Sequence, residues 1–432
     1  MKNQLIKRKL FSQIIDLLER KEIFALVGPR QVGKTTLMKM IIDYLVEKKH
    51  ILREKIFYFN FEDPLLQEEF AQDPKEFIRA RLSKGRVYFF FDEFHYLKEG
   101  GRKLKLIYDL FPQAKIFISG SSSLELTFET ARWLVGRILF FRLFPLDFEE
   151  FLGWRAKEIL PVFREKRQHV WRFIQGKEKQ WLKASIFEKR LANLWQELAI
   201  FGGYPEVIKA EKEQEKVKIL EGIVSTYLQR EIRSLLLVED LAGYQTFLRL
   251  LAAQAGDILN FQQLSNDSGL SLFLVKKYLK FLEETFVISQ IFPYRRSLSS
   301  ELRKRPKVYF LDSGLRHFLI NNFSPLRLRD DRGKVSEMFV FQQLFKNLSL
   351  FSQLHFWRTR GGAEVDFVLI EGERILPLEV KTSALSQPKL TRSLLSFLTK
   401  YQPEKAVVFN RNLFQLITKG KTQILFLPFW YA

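Results

Sequence analysis

The residues best suited to chemistry in this chain lie near its amino terminus, where residues 28–36 read GPRQVGKTT. The segment fits the phosphate-binding loop pattern, and it stands between an apolar run at 23–27 and a helical pattern at 37–48. Glycines let backbone N–H groups turn toward phosphate oxygens, Lys34 reaches the outer phosphates, and Thr35 offers a hydroxyl to Mg²⁺. We therefore expect ATP and Mg²⁺ to bind at Gly28, Pro29, Arg30, Gln31, Val32, Gly33, Lys34, Thr35 and Thr36.

A pair of acids closes a second apolar run, RVYFFFDEF at 86–94. The carboxyl ends of strands form the ligand crevice of open α/β sheets, so Asp92 is expected to hold the Mg²⁺ water shell. Glu93 is then the base that polarises the attacking water. Ser119 or Ser121, ending the next run, would sense the γ-phosphate or form a plain serine-rich turn. Arg137 is a candidate for neutralising transition-state charge in its own or a neighbouring subunit.

A second constellation lies toward the carboxyl terminus, with Glu337, then Asp366 in GAEVDFVLI, then Glu379 and Lys381 in ILPLEVKT. This E…D…E-x-K series on a helix and two strands resembles the PD-(D/E)XK, restriction-endonuclease-like nuclease core. The resemblance implies a small α/β domain. In it Glu337, Asp366 and Glu379 would hold a metal ion, and Lys381 would meet the charge that develops on a phosphodiester.

The spacing of these residues can be checked by counting along a hairpin. If residues 372–373 form a two-residue turn, Asp366 lies opposite Glu379 and Glu364 lies opposite Lys381. Side chains alternate with a period of two, so all four would share one face of the sheet. Like charges opposed at about 5 Å between Cβ atoms are destabilising unless a cation compensates them, which favours a divalent metal.

Two alternatives to a nuclease site stay open at this stage. The hairpin could be solvated, with Glu364 and Lys381 forming a surface pair, and a binding-only site would show the same residues. Pro377 also indicates an edge strand or a bulge, which would shift the register by one residue.

Residues 1–150 alternate apolar runs with helical stretches, which predicts an α/β domain with a parallel sheet. The runs after the loop lie at 55–63, 86–94, 114–122 and 136–146, and they are apolar on both faces, as in strands covered by helices on each side. One whole strand separates the loop helix from the paired acids. This favours a P-loop NTPase of the additional-strand class rather than of the kinase class.

Residues 151–235 read as a basic, tryptophan-rich helical lid. Eleven Lys and Arg against four Asp and Glu lie between Trp154 and Gln196, a stretch that also contains Trp171, Trp181 and Trp195. Basic residues interleaved with aromatics can grip single-stranded nucleic acid. The alternative, which the wide spacing favours, is an amphipathic lid with buried tryptophans and solvated lysines.

Residues 236–311 predict a winged helix-turn-helix. Helices are expected at 241–255, 260–267 and from Ser271 to about 285, followed by the strands VISQIFPY and KVYFL. The third helix offers Lys276, Lys277 and Lys280, which suit phosphate contact better than base readout. A packing module between two larger domains is the alternative. The remaining residues, 312–432, are assigned to the nuclease-like domain.

Composition narrows the classes of partner that we expect for this chain. The 432 residues carry 70 Lys and Arg against 49 Asp and Glu, a net charge of +21, which favours DNA or another polyanion, unless it is only a solvated lysine-rich surface. With no cysteine, disulfides and thiolate metal sites are excluded, which fits a cytoplasmic protein. No apolar run reaches the roughly 20 residues that cross a bilayer, and we expect no membrane association.

Several motifs taken together resemble a prokaryotic family of AAA-type ATPases with a C-terminal domain of uncharacterised function. They are, in order, GPRQVGKTTL, FFFDEFHYL, ISGSSSLEL, GRI…FPLDFEEFL, FGGYPEV and YFLDSGL. The resemblance implies ATP binding and hydrolysis through Lys34, Thr35, Asp92 and Glu93.

Three functions remain in competition. The first is an ATPase whose nucleotide state governs a DNA-associated, nuclease-like half. The second is a nucleotide-controlled switch whose inactive nuclease-like domain docks a partner protein. The third, a metabolic kinase, is weaker because it leaves the C-terminal half unexplained. The sequence does not discriminate the cellular process or the oligomeric state.

Overall fold

The structure is a computed structural model that describes residues 5–120, 131–179, 185–226, 240–294 and 304–432. It divides into two compact units, one formed by residues 1–145 and 279–287 and the other by residues 146–278 and 288–432. Ser121, Trp181 and the basic segment 295–303 lie outside the described residues.

The first unit is built from five strands and six helices of the described chain. The strands are β1 (Ile23–Val27), β2 (Ile56–Asn60), β3 (Val87–Asp92), β4 (Ala114–Gly120) and β5 (Ile138–Arg142). The helices are α1 (Lys9–Asp16), α2 (Lys34–Glu47), α3 (Pro64–Gln72), α4 (Pro74–Arg79), α5 (Gly100–Leu110) and α6 (Ala131–Trp133).

These strands form one parallel sheet in the order β2-β3-β4-β1-β5. The prediction of an α/β unit with a parallel sheet is therefore confirmed, with strands inside each of the four predicted runs. The strand that separates β1 from β3 in the sheet is β4, whereas β2, which separates them in sequence, lies at the edge. Every strand ends at the same edge of the sheet, so the segments that follow β1 and β3 meet there, beside the end of β4.

Two hydrophobic clusters cover the two faces of this sheet. Ala25, Phe89 and Phe91 belong to one cluster, while Phe24 and Phe90 belong to the other. Neighbouring residues of one strand point to opposite faces, and both faces are buried, so the central strands β1, β3 and β4 are apolar without alternation.

The second unit carries the remaining strands and helices. Its strands are β6 (Ile288–Ile291), β7 (Lys307–Phe310), β8 (Ser352–Arg358), β9 (Glu364–Glu371), β10 (Arg374–Val380), β11 (Lys405–Asn410), β12 (Gln415–Lys419) and β13 (Thr422–Pro428). Its helices are α7 (Phe148–Arg155), α8 (Leu160–Ile174), α9 (Glu188–Phe201), α10 (Pro205–Lys209), α11 (Glu213–Ile223), α12 (Leu241–Ala253), α13 (Phe261–Ser268), α14 (Leu272–Glu284, whose last residues belong to the first unit), α15 (Ser313–Leu319), α16 (Arg332–Lys346) and α17 (Arg392–Tyr401).

Six of these strands form a mixed sheet in the order β12-β13-β11-β10-β9-β8. The predicted hairpin register between β9 and β10 is confirmed, because Glu371 faces Arg374 and the pairing continues to Phe367 and Leu378. The edge position suggested by Pro377 is wrong, since β10 is an interior strand. Proline is tolerated because pairing with β11 begins only at the following residue. The one register irregularity lies between β8 and β9 instead.

The helices and strands of the predicted winged module are present where the sequence places them. Helices α12, α13 and α14 precede the antiparallel pair of β6 and β7. Gly269 adopts a φ of +73° in the turn, and the Ser271 hydroxyl accepts a hydrogen bond from the Leu274 N–H at 3.3 Å, as expected for a helix cap. Their assembly as a winged helix-turn-helix stays a prediction.

The helices at 148–223, predicted as a lid, belong to the second unit. Trp195 is buried and packs against Phe339 and Phe429, while the Trp171 indole donates to the Tyr431 carbonyl at 3.0 Å. These two tryptophans are therefore tied into the unit's core and its carboxyl-terminal segment. Within the described part of the chain, no helix is both long and apolar enough to cross a bilayer.

Two of the glycine-containing motifs meet at one buried carboxylate. Asp312 accepts hydrogen bonds from the N–H groups of Gly203 at 2.6 Å and Leu315 at 3.2 Å. A Cβ on Gly202 would lie 2.2 Å from Asp312, and one on Gly314 would lie 2.2 Å from the Phe201 carbonyl oxygen. The FGGYP and LDSGL segments thus require glycine for close packing, a structural role.

Candidate functional site

The phosphate-loop segment connects β1 to α2 at the carboxyl edge of the first sheet. Gly33 has a φ of +98° and starts α2, which leaves the first N–H groups of that helix facing the loop. Gly28 cannot carry a side chain, because a Cβ there would lie 2.1 Å from the carbonyl oxygen of Leu143. The two glycines of the motif therefore serve different needs, one conformational and one steric.

Lys34 is folded back onto this loop. Its side chain is buried, and its Nζ donates to the carbonyl oxygens of Gly28 at 3.1 Å and Pro29 at 3.0 Å. The ammonium group thus lies inside the curl of the loop, where a phosphate oxygen would offer it a charged acceptor. Arg30 points elsewhere, and its guanidinium donates to the Tyr96 hydroxyl at 2.6 Å.

Asp92, at the end of β3, is the centre of a hydrogen-bond network. Its Oδ2 accepts from the hydroxyls of Thr35 and Tyr58, each at 2.6 Å. Its Oδ1 accepts from the Ser119 hydroxyl and, at 3.2 Å, from the N–H of Glu93. Loop, β2, β3 and β4 thereby converge on one buried carboxylate. Burial and the neighbouring Asp92 carboxylate raise the pKa of Tyr58, so this phenol stays protonated as a donor.

Glu93 directly follows the strand and adopts a left-handed φ of 50°. Its N–H donates to the Ser119 hydroxyl at 2.9 Å, and its Oε2 lies 3.2 Å from Nδ1 of His95. Burial alone would raise the pKa of Glu93, but His95, Lys34 and Arg30 outweigh burial and lower it. The carboxylate is therefore ionised at neutral pH, as a proton acceptor must be.

Arg137 does not contribute to the site of its own chain. Its carbonyl accepts from the N–H of Ile23, the first residue of β1, so it lies at the amino edge of the sheet, opposite the loop. Its side chain pairs with Asp109 at 3.0 Å. The prediction of a charge-neutralising role within the chain is wrong, because sequence order does not show at which edge a residue lies. A role toward a neighbouring subunit stays a prediction.

The second constellation lies on β9, β10 and α16 of the second unit. Glu379 is buried, accepts from the Thr391 hydroxyl at 2.8 Å and pairs with Lys381. Asp366 accepts from the N–H of Val380 at 2.7 Å. Burial and the carboxylates of Glu337 and Glu379 raise the pKa of Asp366, although Lys307 and the Val380 N–H oppose them.

The alternative in which Glu364 and Lys381 form a surface ion pair is wrong. Glu364 pairs with the buried Lys307 at 2.6 Å and with Arg358 at 2.8 Å. Lys307 Nζ also lies 3.1 Å from Glu337, which accepts a further hydrogen bond from the Tyr309 hydroxyl at 2.5 Å. Burial opposes the charge on Lys307, but the three neighbouring carboxylates Glu337, Glu364 and Asp366 prevail and raise its pKa.

These contacts correct the predicted metal set of Glu337, Asp366 and Glu379. Across the described ranges, no group of three or more His, Asp or Glu side chains is arranged to hold a metal ion. The physical reason is local: Glu337 is engaged by Lys307 and Tyr309, and Glu379 by Lys381 and Thr391.

Four residues of the two sites were not predicted from the sequence. Tyr58 stands inside an apolar run, and His95 follows the acid pair by two positions, so only their neighbourhood in sequence hinted at them. Lys307 and Tyr309 open a strand assigned to another module. A lysine with an alternate tyrosine on one strand face was the available signal for the second pair.

Three family models match successive parts of the chain. Residues 20–152 match the model of an AAA domain. Residues 192–326 and 332–430 match two models that are each described as a domain of unknown function.

Similar proteins occur in bacteria and archaea. An uncharacterized protein of Haemophilus influenzae is 28% identical over 329 residues, which cover 74% of this chain and 75% of that protein. An uncharacterized protein of Methanocaldococcus jannaschii is 23% identical over 440 residues, which cover 98% of this chain and 91% of that one.

Among solved structures, a Walker-type ATPase of Pyrococcus abyssi aligns with a TM-score of 0.42 and 15% identity, covering 74% of this chain and 97% of that chain. The ORC2 protein of Aeropyrum pernix in its ADP form aligns with a TM-score of 0.34 and 12% identity, covering 80% and 96%. The motif order, the parallel sheet and the match over residues 20–152 agree with one another. Residues 20–152 of this chain therefore form an AAA-type domain with a phosphate-binding loop.

Proposed function

We propose that the first unit hydrolyses ATP with the help of Mg²⁺. The observation that carries the proposal is the convergence of Thr35, Ser119 and the buried Asp92 beside Lys34, at the carboxyl edge of a parallel sheet. A hydroxyl and a carboxylate 2.6 Å apart form a hard-oxygen donor set, which fits Mg²⁺. The position of β4 between β1 and β3 further supports the additional-strand class of P-loop ATPases.

Binding begins with an exchange of partners at Lys34. Its ammonium leaves the carbonyls of Gly28 and Pro29 and pairs with the outer phosphates, while N–H groups of the loop turn toward phosphate oxygens. Thr35 and Asp92 are the residues that would hold Mg²⁺. The ion would supply positive charge against the phosphate oxygens.

Glu93 is the base of the proposed reaction. Its carboxylate takes a proton from water as the water oxygen bonds to the γ-phosphorus and the bond to the ADP oxygen breaks. Ser119 holds the Glu93 backbone through the N–H and also donates to Asp92, so it ties the base to the metal-side acid. His95, 3.2 Å from Glu93, keeps the carboxylate oriented.

The experiment is phosphate release from MgATP by the whole chain. Turnover that depends on Mg²⁺ and is absent in Lys34→Ala supports the proposal. No phosphate release under any divalent condition would refute hydrolysis. Transfer of the γ-phosphate to a small acceptor, with no release to water, would favour the kinase function instead.

For the second unit we favour association with DNA through α14. Phe273 is 73% exposed on the part of this helix that belongs to the second unit, and Lys276 and Lys277 are exposed there as well. An exposed aromatic among lysines, in a chain of net charge +21, is typical of a surface that contacts phosphates and bases. Tyr278, on the other side of the helix, packs edge-on against Tyr244 and anchors it.

DNA binding is tested with Lys276→Glu in salt titrations. We expect weaker binding to every duplex sequence and a salt slope reduced by about one for each lost phosphate contact. The matched control is Lys39→Glu, which places the same charge change on the exposed face of α2. Equal loss in both variants would show a general charge effect and remove α14 from the proposal. Turnover insensitive to DNA would favour a protein partner.

A further inference from the structure

The acidic cluster of the second unit already contains a cation of its own. Lys307 lies in β7 and is only 3% exposed. Its Nζ lies 2.6 Å from Glu364 on β9 and 3.1 Å from Glu337 on α16. The ammonium group of Lys307 therefore lies between two carboxylates that belong to different elements of the unit.

One oxygen of Glu337 and one oxygen of Asp366 are committed to protein donors. Tyr309 donates to the same Glu337 oxygen that contacts Lys307, and Asp366 accepts from the backbone of β10. A divalent ion needs several oxygens free to face one point, at about 2.0–2.6 Å from each. These two oxygens would have to abandon their present bonds to face such an ion.

Charge explains why a lysine suffices. Like charges buried close together are costly unless an opposite charge compensates them. Lys307 supplies that charge from inside the cluster, and Arg358 adds a second one to Glu364 from the surface at 2.8 Å. The charges of Glu337 and Glu364 are thus compensated without a divalent metal.

We propose that the Lys307 ammonium takes the place of a divalent cation in the acidic cluster of Glu337, Glu364 and Asp366, so that this nuclease-like module binds without cleaving. These residues do not fit a resident metal ion, so the cluster offers no site for metal-assisted cleavage. The inference goes beyond the proposed ATPase and stands or falls separately, because all of its residues belong to the second unit.

Mn²⁺ binding tests the inference directly. The whole chain is titrated with Mn²⁺ and free ion is followed by electron paramagnetic resonance, without nucleotide and in an Asp92→Asn background that removes the acid of the first unit. We expect no site in this protein. In Lys307→Ala the carboxylates lose their cation, and we expect Mn²⁺ affinity to rise about tenfold or more, into the ~10⁻⁴–10⁻³ M range of open oxygen sites.

The matched control is Lys216→Ala. Lys216 is 4% exposed in the same unit and pairs with the single carboxylate Glu197 at 2.6 Å. Loss of this lysine should destabilise the unit without creating a metal site, whereas Mn²⁺ should raise the melting temperature of Lys307→Ala alone.

Two results would overturn the inference. One is a stoichiometric Mn²⁺ site in the protein with Lys307 intact that disappears in Glu337→Gln. The other is a folded Lys307→Ala or Lys307→Met that gains no Mn²⁺. If neither variant folds, the titration of the protein with Lys307 intact still decides, because the inference requires that no site be found there.

Discussion

Replacing Glu93 by glutamine should separate ATP binding from hydrolysis. Glutamine has nearly the same shape as glutamate, and its amide oxygen can still lie beside Nδ1 of His95 at the observed distance of 3.2 Å. The left-handed backbone at this position already carries a side chain of this length. What the substitution removes is the charge, and with it the proton acceptor.

The magnitude follows from the role. A positioned general base contributes about 10²–10⁴ in rate, which is roughly 2.7–5.4 kcal/mol of activation free energy. Lys34, His95 and Arg30 lower the pKa of Glu93, so the base is fully ionised at neutral pH and the whole factor is at stake. The affinity for MgATP should change little, because Glu93 does not belong to the loop.

The assay is phosphate release across a range of MgATP concentrations, together with a direct binding measurement. Glu99→Gln is the matched control, since Glu99 has the same left-handed backbone six positions later and an exposed side chain. We expect turnover to fall about 10²–10⁴-fold in Glu93→Gln and to be unchanged in the control. Turnover retained in Glu93→Gln would refute its assignment as the base.

Three further predictions concern stability. Gly28→Ala should lower the free energy of unfolding by about 1–3 kcal/mol, because its Cβ would meet the Leu143 carbonyl, and it should abolish the stabilisation by nucleotide in a thermal melt. A melting temperature equal to that of the unsubstituted protein would contradict this prediction. Burial lowers the pKa of Lys115 from 10.5 to about 7. The folded chain then loses this proton before the unfolded chain does, so stability gains up to about 1.4 kcal/mol per pH unit between those values. Lys115→Met should lack that gain when the free energies of unfolding by urea at about pH 7.5 and 9 are compared. The same pH dependence in Lys115→Met and in the unsubstituted protein would contradict this prediction. Asp312→Ala removes the acceptor of the Gly203 and Leu315 N–H groups. It should lower the free energy of unfolding by about 2–4 kcal/mol.

The arrangement of the proposed nucleotide site could be predicted in detail because its parts are local in sequence. The loop, the lysine and the acid pair each stand next to a strand, and parallel strands bring their ends to one edge. Tyr58 was missed because an aromatic residue in an apolar strand is normally core. Its hydroxyl gains meaning only from the pairing of β2 with β3, which places it beside Asp92.

Arg137 shows the limit of sequence neighbourhood. It precedes β5 and therefore lies at the amino edge of the sheet, a fact that the parallel direction of β5 determines and that the motif alone does not. Applying strand direction to this arginine would have excluded it.

The prediction of a metal site in the second unit was wrong for a different reason. The register of β9 and β10 was correctly counted, because a two-residue turn fixes it. The partner of the acids came from β7, a strand far away in sequence and assigned to the winged module. No count along the hairpin could place Lys307 against Glu364. Long-range packing decided the chemistry of the cluster.

The most direct test of the nucleotide-site proposal is calorimetric titration of the protein with MgATP, compared with Lys34→Ala and with Lys39→Ala, an exposed lysine on the same helix. We expect one nucleotide per chain, affinity weakened about tenfold to a hundredfold in Lys34→Ala, and no change in Lys39→Ala. Absence of binding heat, or equal affinity in all three proteins, would contradict nucleotide binding at this loop.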